Sequence, residues 1–201
     1  MKNSPERLAW IVLLSSFFIC VTLAVMTPLG LRWYIRNAQA TQQVSLQVQR
    51  GPLSMVRGGQ GRPVSVAEDS DSVLEGSKIT APNAASGSVL IQPPESKGTA
   101  PIVTVQLYDQ TEIVLSSARS PRFDTSPLPH QIALEMEGGR IRINVFGESS
   151  RPTTVEVRTS HGSARLTEGS YEVKINSVTE STVRYGQAEV TNRAGETLLL
   201  G

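Results

Sequence analysis

Few side chains in this 201-residue chain could do chemistry, and their spacing decides which chemistry that would be. The two histidines, His130 and His161, fall in different predicted turns with no acidic neighbour at ligand spacing. A zinc site would have to draw Asp or Glu from afar, and a Ser-His-Asp set has no local signature. His161, followed by Ser163, reads as a hairpin tip rather than as a base beside a nucleophile. The run Glu68-Asp69-Ser70-Asp71-Ser72 offers oxygen ligands that calcium could use. It lacks the full pattern of a hand-type loop and reads as a solvated acidic turn. Glu135 and Glu137 share one side of a predicted strand, which without a pocket is poor ground for an acid–base pair. Gly58-Gly59-Gln60-Gly61 leads into Arg62-Pro63, not into a helix, so it is no phosphate loop. Cys20 is the single cysteine, and Phe18 and Ile19 ahead of it do not suit a lipid-acceptor motif. It reads as apolar filler, and leaves the polar remainder without disulfide, thiol nucleophile or Cys-based zinc site. No catalytic, cofactor-binding or metal-ligating residues are assigned, and the expectation is a protein that is not an enzyme and carries no cofactor.

The elements that would position any site begin with residues 8–31, LAWIVLLSSFFICVTLAVMTPLGL, which hold no charge from Leu8 to Leu31 and are closed by Arg7 and Arg32. An apolar run beyond about 18 residues reads as a membrane span, because a helix needs roughly 20 to cross the hydrocarbon layer. Trp10 near one end and Trp33-Tyr34 at the other resemble interfacial anchors. A cleavable signal competes, since Asn37-Ala38-Gln39-Ala40 ends in an A-x-A pattern. The run is far longer than the roughly 7–15 residues of a signal h-region, which favours an uncleaved anchor. Residues 1–7 would then stay in the cytoplasm, residues 32–43 form a linker, and residues 44–201 lie outside the cytoplasmic membrane. Ser15, Ser16, Ala24 and Gly30 would let another helix approach closely.

After the linker the pattern alternates with period two. Val44, Leu46 and Val48 begin it, and Ile102–Leu107, Ile132–Met136, Ile141–Val145, Val155–Val157, Tyr171–Ile175 and Val183–Val190 continue it. Alternation puts one face on a core and the other in water, and no sustained 3.6-residue stripe follows Trp33. The predicted fold is mainly β: one N-terminal transmembrane helix, then one all-β domain, an antiparallel sandwich or roll of short strands. Glycine turns are predicted at Glu137-Gly138-Gly139-Arg140, Ser160-His161-Gly162-Ser163 and Tyr185-Gly186-Gln187. Proline-marked irregular segments are expected from 81 to 101, around a short SVLIQ strand, and from 116 to 129. From Asn37 onward 15 Lys and Arg stand against 17 Asp and Glu, without the basic surplus of a nucleic-acid binder. The arginines are scattered through alternating segments and read as solvated strand faces.

The order of these segments resembles the FecR-type domain, the envelope β domain of membrane-anchored regulators of iron-transport genes. VLEGSKIT at 73–80 is similar to the family's L-x-x-G-D-x-I-x-T turn. VQLYDQTEIVL at 105–115 is similar to a strand, a D-G-(S/T) hairpin and its return. LEMEGGRIRINV at 134–145 resembles the L-x-x-G-x-(V/I)-x-x-x-V hairpin, and RPTTVEVRT at 151–159 the R-P-F-x-V-x-T strand. LTEGSYEV at 166–173 stands where the family has G-T-x-F-x-V, and VRYGQAEV at 183–190 where it has V-x-x-G-x-V-x-V. Ser77 replaces the family's Asp, Gln110 its Gly and Tyr171 its Phe. The resemblance also implies a cytoplasmic sigma-binding domain and a transducer-binding domain, whereas the head MKNSPER is too short for the first and the second is missing after Gly201. Leu198-Leu199-Leu200 either pairs as a last strand or marks a chain cut short.

The reading is therefore a membrane-anchored FecR-like β domain that binds or scaffolds in the bacterial envelope. Its expected partners are membrane lipid along Leu8–Leu31 and another envelope or membrane protein, with no nucleic acid. An accessory subunit of a larger membrane complex and a transmembrane regulator of the anti-sigma type, working through a separate cytoplasmic partner, are the alternatives.

Overall fold

The computed structural model describes residues 5–58, 61–70, 72–94, 100–147 and 151–201. Most of the predicted head, Gly59-Gln60 and Asp71 lie outside the described residues. The chain divides into two compact units, residues up to Ala38 with Pro121–Leu128, and Gln39–Ser120 with Pro129–Gly201.

The first unit is built on helix α1, Pro5–Asn37. The helix includes Arg32 to Asn37, where the sequence suggests a linker, and it is about 50 Å long at 1.5 Å per residue. Within it, Ala9–Asn37 has a mean hydropathy of 2.4 in its most apolar window, none of which is buried. Its hydroxyls are satisfied locally: Ser15 Oγ donates to the Val12 carbonyl at 2.9 Å and Thr22 Oγ1 to the Phe18 carbonyl at 2.7 Å. Such back-bonding lets a polar side chain sit in an apolar medium without an orphaned donor.

The second unit is all β. Its strands are β1 Gln39–Thr41, β2 Gln43–Arg50, β3 Leu53–Val56, β4 Pro63–Val66, β5 Ser77–Ala81, β6 Ser86–Gln92, β7 Val103–Leu107, β8 Thr111–Pro121, β9 His130–Val145, β10 Thr153–Thr159, β11 Gly162–Ile175, β12 Thr179–Asn192 and β13 Thr197–Leu200. One layer runs β4-β3-β5-β8-β9-β10-β11-β12-β13, and a second runs β2-β6-β7 onto the other half of β9 and thence to β11 and β12. Alternate residues of both layers meet in one core, with Leu46, Ile79, Ile91, Leu107, Ile113, Leu134, Ile143 and Val157 fully buried.

Three long strands belong to both layers. In β9 the buried side chains are Ile132, Leu134 and Met136, then Ile141, Ile143 and Val145, so the inward phase shifts from even to odd numbers. β11 shifts from Ala164 and Leu166 to Tyr171, Val173 and Ile175. A residue inserted by a bulge reverses the facing of everything beyond it and bends the strand into the next layer. β10 lies between the first halves of β9 and β11, parallel to β9 and antiparallel to β11, while their second halves pair directly.

The sequence places hairpins at two of these bends, and the structure corrects both. Gly138-Gly139 sits inside β9 and Gly186 inside β12; neither reverses the chain. A glycine on a phase break looks like a turn because alternation restarts after it. The turn at Ser160-His161 is a hairpin as expected, joining β10 to β11. Tyr108–Gln110 is a corner rather than a hairpin: β7 and β8 do not pair with each other, but with opposite halves of β9. β8 also runs on to Pro121, past Ser116, where an irregular segment is expected.

Each bend is plugged by a hydroxyl. At β9 the buried Thr111 Oγ1 donates to the Arg140 carbonyl at 2.8 Å and accepts from the Arg140 N–H at 3.0 Å. A Cβ on Gly139 (φ +92°) would stand 2.4 Å from the Gln110 carbonyl oxygen. At β11 and β12, Gly169 faces Gly186 across the pair, and Tyr171 Oη donates to the carbonyls of Gln187 at 2.8 Å and Glu168 at 3.1 Å. A Cβ on either glycine would lie 2.5 Å from that hydroxyl.

Candidate functional site

The histidines do not meet. His130, at the start of β9, is buried with its Nδ1 2.7 Å from Ser120 Oγ. Hydroxyl and imidazole at that distance are the beginning of a nucleophile–base pair, but exposures of 2% and 4% leave a substrate no route to them. His161 is an exposed turn residue whose Nδ1 lies 2.9 Å from Thr179 Oγ1 and 3.1 Å from Ser160 Oγ. Among the described residues no three of His, Cys, Asp and Glu come together. Of the acidic run, Asp69 Oδ1 accepts the Val48 N–H at 2.9 Å and Ser70 bridges to Leu46, a local use along β2. Glu137 engages Lys78 while Glu135 points to solvent.

Lys78 lies between Glu112 and Glu137 on the outer face of the first layer. The hydrogen bonds Lys78 donates to these carboxylates, Glu112 first, raise the lysine above its ordinary pKa. On the outer face of the second layer the balance is reversed. Arg140, Arg142 and Arg184 converge on Glu172 at 2.7, 3.3 and 3.9 Å. The Arg140 guanidinium also stacks over Tyr108, 4.5 Å from the ring centroid. The hydrogen bond from Arg140 is the main cause holding the Glu172 carboxyl below its usual range, and the same bond raises Arg140. Arg142 Nε is buried and unpartnered among the described residues. Period-two spacing puts Arg140 and Arg142 on one face. Convergence with Arg184 depends on cross-strand register, which scattered arginines in the sequence do not reveal.

An apolar groove of about 360 Å³ lies beside β13 in the β unit. Val157, Ala164 and Val173 form its floor, Leu198 and Leu200 one wall, and Thr159, His161 and Thr179 a polar rim. Leu198 pairs with Val190 and Leu200 with Ala188, so both leucines face the groove. Among the described residues β13 pairs only with β12, and Leu198 and Leu199 are 62% and 78% exposed. An apolar groove beside an open strand edge is suited to an extended chain, whose backbone the edge can bond while the groove takes alternate side chains. Among the described residues that line it there is no carboxylate.

No family model matches the chain, and no curated protein sequence does. Two crystal structures, both of a Parabacteroides distasonis ATCC 8503 protein provisionally named an anti-sigma factor, align with 61% of it. Sequence identity is 24% and 22%, with TM-scores of 0.42 and 0.43. The chain covers about half of those proteins, 50% of each. A likeness at this level identifies neither a family nor an activity.

Proposed function

We propose that the chain is a single-pass membrane protein whose helix α1 anchors a FecR-like β module at the bacterial cytoplasmic membrane. In this reading the module lies outside the cytoplasm and acts by binding another envelope or membrane protein, not by catalysis. One observation carries it: the most apolar window of α1 has none of its residues buried, while the β unit has a complete core of its own. An apolar window that buries nothing within its own chain suits an outside apolar medium, and the helix is long enough to cross a bilayer. The groove beside β13 is the surface best suited to the partner. The buried Ser120–His130 pair and a groove without carboxylates weigh against catalysis. The FecR-type order of segments supports a further reading as a regulator acting through a separate cytoplasmic protein.

External protease added to intact spheroplasts tests location, and a photo-crosslinker at Leu199 tests binding. The proposal expects digestion of the β module without lysis, and a discrete protein adduct from position 199 that a crosslinker at Glu135 does not give. Protection of the module until lysis overturns the orientation, and equal labelling from both positions overturns the binding surface.

A further inference from the structure

Pro121–Leu128 belongs to the helical unit and clasps the end of α1. Ser126 Oγ donates to the Arg36 carbonyl at 2.6 Å, and the Arg122 N–H donates to the Ala38 carbonyl at 2.9 Å. Phe123 meets Tyr34 edge to face at 6.1 Å. Arg32 and Arg36, four apart, fall on one helix face. The clasp leaves two clefts that share these arginines. One, of about 380 Å³, is lined by Pro28, Leu31, Ile35 and Thr125; the other, of about 390 Å³, by Leu29, Trp33, Pro127 and Leu128. Among the described residues neither Arg32 nor Arg36 is paired with a carboxylate, unlike Arg140, Arg142 and Arg158.

We propose that this clasped end of α1 binds an anionic phospholipid, with Arg32 and Arg36 on its phosphate and its acyl chains along Pro28, Leu31 and Ile35. The inference rests on the membrane-anchor reading. Continuity identifies the occupant: the cleft walls carry on from the apolar face of the span, which a bilayer already covers. Charge identifies the headgroup. Two unpaired guanidinium groups present planar forks suited to phosphate oxygens, and the Thr125 hydroxyl adds a donor from the opposite wall. Trp33 and Tyr34 lie at the same level, where indole and phenol rings favour the headgroup zone. Arginines at a bare helix end would attract any anionic surface; the clefts exist because the loop closes over them. Substitutions in the loop should therefore alter lipid choice while leaving the arginines in place.

The test uses the full chain in mild detergent, titrated separately with phosphatidylglycerol and phosphatidylcholine and read as lipid adducts by native mass spectrometry. The expected result is a preference of about tenfold for phosphatidylglycerol, lost in the Arg32→Ala/Arg36→Ala double variant and also in Thr125→Glu, which adds a carboxylate at the cleft. Equal adducts with both lipids, or a preference that survives both variants, would overturn the proposal. So would an inorganic phosphate adduct that phosphatidylglycerol fails to displace, since it would assign the arginines to a soluble anion. Reconstitution into neutral phosphatidylcholine vesicles followed by flotation separates the two ideas. A chain that does not float contradicts the anchor itself, whereas one that floats but shows no lipid preference contradicts only this inference.

Discussion

Helix α1 and the β unit dispose of apolar surface in opposite ways. Along the helix Trp10, Ile11, Phe17, Phe18, Ile19, Leu23 and Met26 are all exposed, and Pro121–Leu128 packs on its end. In the β unit the large apolar side chains converge on one core, and the exposed ones are few, with Leu198 and Leu199 adjacent on β13. In the proposed reading a surrounding apolar medium covers the first region, whereas the described residues of the second bury most of their apolar surface within their own chain. Stability of the β module and retention in the membrane should therefore respond to separate sets of substitutions.

The largest expected effect is in the β unit. Gly139→Ala would push a Cβ onto the Gln110 carbonyl and force a side chain into positive φ, costing about 3 kcal/mol or more. Thermal unfolding followed by circular dichroism should show the loss, while the membrane-bound fraction of folded protein stays as in the wild type. Ile19→Arg does the converse. An arginine near the centre of the span costs about 2.5–3.5 kcal/mol of insertion, so the fraction in the membrane should fall with no change in the β-sheet melting temperature. Thr111→Val removes the one hydroxyl that serves both backbone groups of Arg140 at the β9 bend. A loss of roughly 1–3 kcal/mol in denaturant titration is expected, again without effect on the membrane.

The smallest effect is a dependence on pH. Glu172 has a folded-state pKa lowered by Arg140 and then by Arg142, so its contribution is fully present above its ordinary value of 4.5. It is lost as the pH falls through the lower folded value. A partly exposed network of this kind contributes at most about 1 kcal/mol. Between pH 6 and pH 3 the wild type should lose that much more stability than Glu172→Gln, and equal losses in the two would remove the arginine cluster from the account.

The helix was legible as an unbroken uncharged run, and the strands from the alternation of Val44, Leu46 and their successors; a linear reading detects both. The bends were not. Gly138-Gly139 interrupts the alternation of β9 as a hairpin would, and only pairing with β8 on one side and β7 on the other distinguishes a strand that changes layer from two strands. Gln110 holds φ +56° without being a glycine, so the sequence carries no glycine to signal that corner. Alternation places Tyr171 in a strand run, but its hydroxyl's work on the Glu168 and Gln187 carbonyls needs β12 beside it. The groove beside β13 and the clasp on Arg36 join residues tens of positions apart, and no local spacing encodes either.

Alkaline carbonate extraction of membranes from cells making the intact chain tests the central claim most directly. The account predicts that the full-length protein stays in the pellet with integral membrane proteins and that Ile19→Arg shifts it toward the supernatant. Complete release of the wild-type chain would contradict it.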